Sequence, residues 1–328
     1  ELSRTQSVTG FIRLARGEVG EALTAFRRAI GNDSEDPLAR LGAGLARIRQ
    51  NDLAGGRAEI EVAAILDPVN SLIRSYLGMA YLSENRPGLV DGQLDLAIAL
   101  DANDPTPWLY AAILSQSMNR PVEALVRLRQ SIARNGNRSV YRSRLDLDAD
   151  LSSRQTRQGA IYNELGFEQA ALLEGWKSLA QTPGNFAVHR LLADSYLGLP
   201  RHQFARDSEL LQSQMLQPIN RVPVQPNLSV GDLSLSIDTA QDRVGLNEFG
   251  RLFTQSGTGL RLGITGGGND TLSAEAILSG LSERLSYSLG ASSYRTDGLR
   301  QNNDSHQDTA NLFVQYAPRP DTSVQLEL

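Results

Sequence analysis

The stretch GEVGEALTAFRRAIGNDSEDP, residues 17–37, holds the pattern from which the fold of most of the chain follows. Its apolar residues recur at the i, i+3 and i+4 spacing of an amphipathic helix, and they are Ala22, Leu23, Phe26, Ala29 and Ile30. The polar run GNDSEDP ends that helix and begins the next, with Pro37 at or near the first helical position. The stretch therefore predicts two consecutive helices, one near 19–31 and one that begins at 37.

Columns of small residues repeat this pattern along the chain. The first column is spaced by 34 residues, apart from one step of 47, and comprises Gly10, Gly44, Gly78, Ala112, Gly159 and Ala193. The second follows twelve residues later in most units and comprises Ala22, Gly56, Ala124, Ala171 and Ala205, with Val90 as its exception. The third follows nineteen residues after the first and comprises Ala29, Ala63, Ala97, Ser131 and Ser178. Small side chains allow helices to approach closely, so this period predicts stacked helix–turn–helix units.

In these columns the first two thirds of the chain resemble the tetratricopeptide repeat (TPR) family. The fifth unit lies closest to the family pattern, at Tyr162, Gly166, Ala170, Ala171, Trp176 and Pro183. Trp108 stands at a first-helix position where the family often has an aromatic residue. The resemblance implies an α-solenoid of about six helix pairs over 1–217, wound into a right-handed superhelix with a concave groove.

First helices line that groove in the family, and the resemblance assigns ten side chains to it. They are Phe11, Leu41, Leu45, Met79, Leu82, Ile113, Gln116, Asn163, Arg190 and Asp194. By analogy the groove holds a segment of a protein or of an exopolysaccharide. The Lys, Arg and Asn clamp of the family's peptide binders is not recognisable here. An apolar stripe at helical spacing is more often core than ligand site, so both interpretations of these residues stay open.

Extra residues interrupt the period between the fourth and fifth units, at about 135–153. The simpler interpretation is a long loop between units, and the alternative is an insertion that recognises a partner. The acidic residues Asp146, Asp148 and Asp150 resemble a calcium loop only superficially, because the glycine and the bidentate glutamate of an EF-hand are missing. We expect them to be surface charges.

After residue 217 the periodicity changes from 3.6 to 2. Prolines mark 218–232 as an extended linker. Alternating apolar and polar residues then predict strands, listed by range as 259–265, 272–281, 284–292, 309–318 and 323–328. Between linker and strands, 243–257 is expected to form a short helix or a lumen-facing segment anchored by Phe249, Leu252 and Phe253.

Two architectures place apolar residues on one face of a sheet and polar residues on the other. One is a soluble sandwich, and the other is a membrane barrel with a polar lumen. Strands of about ten residues, a polar face rich in Ser and Gly, and short turns alternating with a longer polar loop favour the barrel. The segment resembles the opening strands of a Gram-negative outer-membrane β-barrel. Five strands are too few to close one, so we expect the chain to be truncated.

Composition excludes several classes of function. A net charge of -5 argues against nucleic acid, which normally binds a basic patch. The chain has no cysteine, and its one lysine, Lys177, does not follow a P-loop glycine pattern. The three histidines, His189, His202 and His306, have no metal-ligand companion at i+4. We therefore expect no enzyme, no cofactor and no metal, and we interpret the Gly-rich run 266–270 as a turn.

These observations predict an α+β multidomain protein: a TPR α-solenoid at 1–217, a linker at 218–232 and an antiparallel β-meander at 233–328 that forms part of a barrel. The architecture resembles exopolysaccharide exporters that join a TPR scaffold to a barrel. We expect an outer-membrane protein with a periplasmic N-terminal domain and lipid around the β part. The missing signal peptide is attributed to truncation. The alternatives are a soluble TPR adaptor and, third, an enzyme with an unrecognised site in the β part.

Overall fold

The computed structural model describes residues 2–137, 147–197, 199, 201–217, 256–319 and 322–328. These residues fall into a helical unit, within 2–217, and a sheet unit, within 256–328. The predicted linker at 218–232, the start of the predicted β region and the anchors Phe249, Leu252 and Phe253 lie outside the described residues.

Six consecutive pairs of helices make up the described helical unit, as the 34-residue period predicts. The pairs are α1 Leu2–Ala15 with α2 Val19–Asn32, α3 Pro37–Arg49 with α4 Leu53–Leu66, α5 Ser71–Ser83 with α6 Pro87–Leu100, α7 Pro105–Ser117 with α8 Pro121–Ala133, α9 Leu147–Glu164 with α10 Glu168–Gln181, and α11 Phe186–Leu197 with α12 Gln203–Leu216. A 3-10 turn, Asn135–Asn137, follows α8.

Acidic or amide side chains begin the first helices of the second, third and fourth pairs. Asp36, Asn70 and Asp104 are spaced by 34 residues, and each accepts a hydrogen bond from an amide of the first turn, at 3.0, 3.2 and 2.8 Å. Burial alone would raise the pKa of Asp36. Hydrogen bonds from Ser3, Ser7 and two helix amides outweigh burial and hold that pKa below its ordinary value. These caps fix where each unit begins.

Left-handed residues form the turn inside each pair, and this fourth column was not identified from the sequence. Its members have positive φ angles of 84°, 68°, 56°, 57° and 77° and are Gly17, Asn51, Asn85, Asn119 and Gly166. Glycine and asparagine are the residues that adopt this conformation most readily. The column could therefore have been identified by searching for glycine or asparagine at the period of the repeat. A search for apolar residues misses it, because neither residue is hydrophobic.

The small residues of the first column lie where the two helices of a pair cross. A Cβ atom on Gly10 would lie 2.6 Å from the ring of Phe26, and one on Gly44 would lie 2.5 Å from Ile60. In the other direction, a Cβ on Gly56 would lie 2.7 Å from the carbonyl oxygen of Gly44. Side chains larger than these would separate the helices, which confirms the physical basis of the columns.

The second column of small residues does not continue at its predicted position in the last pair. The left-handed residue of that pair is Arg201, so its turn is one residue longer than the others. α12 consequently begins 35 residues after α10, since 203 − 168 = 35. Arg206, rather than the predicted Ala205, is equivalent to Ala171, and the predicted place of Ala205 in the column is wrong.

The sheet unit is an antiparallel meander of five strands in the order β1-β2-β3-β4-β5. The strands are β1 Gly257–Gly267, β2 Thr271–Leu281, β3 Leu285–Thr296, β4 Ser305–Arg319 and β5 Thr322–Glu327. All five predicted strands are confirmed, and the run at 266–270 forms the end of β1 and a turn. β4 begins at Ser305, within the segment that the sequence interpretation left as a polar loop.

Candidate functional site

Six of the ten predicted groove residues are buried among the helices. Each exposes 8% or less of its surface, and they are Leu41, Leu45, Met79, Leu82, Ile113 and Gln116. The five apolar ones belong to one hydrophobic cluster that runs through the helical unit. The sequence allows these side chains to belong either to the core or to a ligand site. In the structure they belong to the core, because they offer little surface to a ligand.

The other four predicted groove residues keep some exposure but do not form one cluster. Phe11 packs edge-on against Phe26, with ring centroids 4.9 Å apart. Asn163 donates to Ser195 Oγ at 2.8 Å, which joins α9 to α11. Arg190 and Asp194 form an ion pair of 3.1 Å within α11. That this set binds a partner stays a prediction.

A column of long, polar-tipped side chains lies on the first helices of the second, third, fourth and sixth pairs. Arg40 pairs with Glu59 of α4 at 2.9 Å. Arg74 donates to the carbonyl of Pro68, and Trp108 donates to the carbonyl of Ala102 six residues before it, both at 3.2 Å.

His189 occupies the equivalent position in α11. Its Nε2 lies 2.9 Å from the carbonyl oxygen of Pro183, and its Nδ1 lies 2.5 Å from a carboxylate oxygen of Glu209 in α12. Both ring nitrogens are therefore engaged by protein oxygens. The sequence analysis named Trp108 but missed the column. Arg, Trp and His are alike in length and in having a polar tip, but they differ in hydrophobicity, so a hydrophobic pattern does not reveal them.

The junction of the fourth and fifth pairs has a buried polar interface instead of an apolar one. Arg154 of α9 is 1% exposed, and its guanidinium donates to Ser131 Oγ at 3.0 Å and to Asn135 Oδ1 at 2.5 Å. Arg157, also buried, donates to the side chain of Gln116 at 2.5 Å. Gln116, predicted for the groove, thus helps to join α7 to α9.

This junction corrects part of the predicted insertion. Residues 147–153 form the first two turns of α9 rather than a loop. Asp150 is buried, so its predicted role as a surface charge is wrong, whereas Asp148 is exposed as expected. Residues 138–146, with Asp146, lie outside the described residues, so recognition of a partner there stays a prediction.

A charged network joins the second pair to the third. Arg57 of α4 donates to Glu61 at 2.6 Å and to Glu84 at 3.0 Å, and Tyr81 Oη donates to Glu61 at 2.9 Å. The hydrogen bond with Glu61 raises the pKa of Arg57, and burial only partly offsets it. Burial, reinforced by the Glu61 carboxylate, raises the pKa of Tyr81. The network therefore favours a charged Arg57 beside a neutral Tyr81.

The remaining histidines do not gather into a site. His202 stacks on Tyr196 with ring centroids 5.5 Å apart, and His306 lies 3.0 Å from Asp308 on β4. A hydrogen bond from Ser293, with His306 adding to it, lowers the pKa of Asp308. Across the described residues, no group of three or more His, Cys, Asp or Glu side chains is arranged to hold a metal ion.

The two faces of the sheet differ in chemistry and in exposure. One face is apolar, with a row formed by Leu260, Leu278, Leu289 and Leu312 on four neighbouring strands. Leu262 on this face is 68% exposed. On the opposite face Ser286 and Ser288 are fully buried, and their hydroxyls have no hydrogen-bond partner among the described residues. The sheet therefore exposes apolar side chains on one face, and its other face buries these hydroxyl groups beside Leu281 and Phe313.

The exposed apolar face forms a band with distinct borders. Along β4 it runs from Tyr316 to Ala310, which spans about 20 Å at the rise of a strand. On the same face Tyr287 is in register with Val314, two residues before Tyr316, near the border at the end of the sheet with the turn 282–284. At the other end the same face carries Arg295, paired in register with His306. The longest connection, 297–304, is at that second end.

Among the described helices, none is long and apolar enough to cross a membrane. No family model and no curated protein matches the chain.

Solved structures do resemble it. One is the crystal structure of the APC/C hetero-tetramer Cut9–Hcn1, at 18% identity and a TM-score of 0.57, over 66% of this chain and 40% of that chain. The chain thus spans less than half the length of that relative. Another is TTC0263, a thermophilic TPR protein in Thermus thermophilus, at 17% identity and a TM-score of 0.51, over 60% of this chain and 99% of that chain. At such identities the likeness shows the fold alone: a TPR-type helical solenoid, followed here by an antiparallel sheet.

Proposed function

We propose that the protein is an outer-membrane scaffold in which a periplasmic TPR solenoid binds protein or polymer partners and is joined to a β-barrel for export or transport. The observation that carries the barrel is the exposure of the sheet's apolar face together with the burial of its hydroxyl-rich face. A soluble sandwich has the reverse arrangement, with apolar side chains packed inside and polar ones in water.

The border of the band supports lipid as its surroundings. A membrane barrel presents an apolar belt flanked by aromatic residues, and Tyr316 and Tyr287 lie near one border of the band. Leaving this many leucines in water would be unfavourable, at about 25 cal/mol for each Å² of apolar surface. Acyl chains would cover the same surface.

The positions of the loops support the orientation. Outer-membrane barrels have short turns on the periplasmic side and longer loops outside. β1 begins at the end of the sheet that has the three-residue turn 282–284, whereas the far end has the equally short turn 268–270 and the longer loop 297–304. A chain entering β1 from the periplasm would place the preceding helical unit in the periplasm.

The solenoid supplies the binding part of the proposal. TPR-type stacking presents an extended surface along consecutive first helices, and such surfaces suit segments of proteins or of a polymer such as an exopolysaccharide. Because five of the six predicted apolar groove residues are buried, recognition falls mainly to the partly exposed polar ones, including Asn163 and Arg190. The proposed partners do not include nucleic acid, since the charge of -5 offers phosphates little attraction.

The barrel is tested with two single-cysteine variants of the protein, since these 328 residues contain no cysteine. Leu262→Cys places a label on the apolar face of β1, and Thr265→Cys places the same label on the opposite face; both positions are exposed. The protein is reconstituted into phospholipid vesicles whose acyl chains carry a nitroxide quencher, and label fluorescence is measured.

We expect several-fold stronger quenching at position 262 than at position 265, because only the first would face acyl chains. Equal quenching at the two positions, or none at either, would contradict the barrel. The soluble TPR adaptor would then be the better account, and binding by the solenoid could be measured without lipid.

A further inference from the structure

The first helix of the solenoid exposes a face that every later first helix buries. Val8 of α1 is 58% exposed, whereas the equivalent residues of the later first helices are buried: Gly42, Tyr76, Tyr110, Arg157 and Leu191. Ile12 is 49% exposed, whereas its equivalents expose 2% or less and are Ala46, Ala80, Leu114, Ile161 and Ser195. The difference therefore belongs to α1 and not to the repeat.

Four residues of α1 form this face, which we call the α1 seam. Thr5, Val8, Thr9 and Ile12 are spaced i, i+3, i+4 and i+7, so they lie on one side of the helix. The Thr9 hydroxyl donates to the carbonyl oxygen of Thr5 at 2.8 Å, which leaves the seam mainly apolar toward its surroundings. Repeats that cap a solenoid carry a polar outer face instead. The α1 seam therefore has the surface of an internal helix.

The preceding helix pair covers the equivalent seam in the later units. A Cβ atom on Gly42 of α3 would collide with the ring of Phe26 of α2, so that ring lies directly on the seam of α3. A Cβ atom on Gly159 of α9 would lie 2.5 Å from Leu191 in the seam of α11. The buried arginines of α9 reach the fourth pair in the same way. One interface thus recurs along the helical unit.

We propose that the α1 seam packs against a further helix pair of the same repeat type, which this protein's own chain supplies N-terminal to residue 1. Its second helix would lie against α1 as α2 lies against α3. The exposed seam points to such a pair because the interface that it would form continues the one between the described pairs. Packing would remove Val8 and Ile12 from water, where apolar side chains are unfavourable.

The size of Val8 restricts the residue that faces it. Val8 stands in the place of Gly42, whose missing side chain makes room for Phe26. A phenylalanine in the same pose would collide with Val8. We therefore expect the second helix of the added pair to carry a smaller residue at the position of Phe26. Later pairs have such residues there, with Ile60 in α4 and Gly175 in α10.

Three single-cysteine variants test the seam, since these 328 residues contain no cysteine. Ile12→Cys places a thiol in the seam, and Thr24→Cys places one on the exposed outer face of α2. Ser195→Cys is the covered reference, because Ser195 is the buried equivalent of Ile12 in α11. Each variant is made in the 328-residue chain and in the natural gene product, with any cysteine outside these residues replaced by serine. The rate at which a maleimide modifies the folded protein is then measured.

We expect Ile12→Cys to react as fast as Thr24→Cys in the 328-residue chain, because both positions are exposed. In the natural gene product Ile12→Cys should react several-fold more slowly than Thr24→Cys, as Ser195→Cys does in both proteins. An unchanged rate for Thr24→Cys shows that the longer chain does not shield thiols in general.

Equal rates at positions 12 and 24 in the natural gene product would overturn the added pair, and so would a gene product with no helix pair ahead of residue 1. Slow modification of Ile12→Cys in the 328-residue chain that becomes fast on dilution would also overturn it, because a second copy would then cover the seam. These outcomes do not involve the sheet unit, so they leave the test of the barrel unaffected.

Discussion

Replacing Gly44 with alanine tests whether the small-residue columns set the distance between the helices of a pair. A Cβ atom at Gly44 would lie 2.5 Å from Ile60 Cγ1 and 2.7 Å from the carbonyl oxygen of Gly56. Ile60 can change its rotamer, but the Gly56 oxygen belongs to the backbone of α4. The added methyl group therefore forces α3 and α4 apart, which loosens a tightly packed crossing.

The magnitude follows from two opposing effects. Overpacking a close interface costs about 1–3 kcal/mol, whereas alanine in place of glycine in a helix stabilises by roughly 0.5–1 kcal/mol. The expected net loss is about 1–2 kcal/mol of unfolding free energy, which lowers the melting midpoint of a unit this long by roughly 2–8 °C.

Gly92→Ala is the matched control. Gly92 also lies within a helix, α6, but nothing lies within 4 Å of the Cβ atom it would gain. This variant should raise the free energy of unfolding by up to about 1 kcal/mol through helix propensity alone. Thermal unfolding of the full chain is followed by far-ultraviolet circular dichroism, in which the helical unit supplies the helix signal. The reasoning is refuted if Gly44→Ala melts at or above the midpoint of Gly92→Ala.

Three further predictions concern single side chains. Asn85→Ala should cost about 1 kcal/mol in thermal unfolding, because alanine lacks the short polar side chain whose local hydrogen bonding lets asparagine adopt the left-handed conformation at φ 56°. Asn85→Gly should cost nothing, because glycine adopts this conformation freely. The folded pKa of Asp36 is lowered, so the stability that its carboxylate contributes is present above the unfolded pKa and is lost as pH falls through the folded pKa. The Asp36→Asn variant should therefore lose less stability than the parent on acidification. A variant as acid-sensitive as the parent in urea titrations would contradict this. Tyr81→Phe should remove one tyrosine that ionises above the ordinary tyrosine pKa in an alkaline absorbance titration, since its folded pKa is raised and its stabilisation is lost only as pH rises through that value. A titration with the same number of late-ionising tyrosines as the parent would exclude this.

The solenoid was predictable because the positions where helices touch accept only small residues, and small residues at a fixed spacing are visible in the sequence. A side chain larger than glycine at Gly44 or Gly56 would collide with the facing helix, so these positions reveal the period without any structure. The turns inside the pairs are visible in the sequence as well, because they need glycine or asparagine, the residues that tolerate a positive φ. Ala205 shows the limit of counting, because the extra residue before Arg201 shifts the register of α12 by one and periodicity alone cannot detect such a step.

The groove was harder to predict because burial depends on packing between units. Leu41 and Met79 have the spacing of a helix face in the sequence, but that spacing does not tell which face neighbouring helices cover. The polar junction at α9 was missed for a related reason. Arg154 has the chemistry of a surface residue, and only the arrangement of Ser131 and Asn135 around it makes its burial tolerable.

The direction of the strands restricts how the sheet could be completed. In a five-stranded meander β1 and β5 run in the same direction, and both are edge strands with backbone groups left to pair. If β5 of one sheet joined β1 of another, that pair would be parallel, unlike every pair in the sheet. A closed ring with only antiparallel neighbours has an even number of strands, so closure requires an odd number of additional strands between β5 and β1. A closed ring that contains this sheet and has only antiparallel neighbours therefore needs strands beyond the five described.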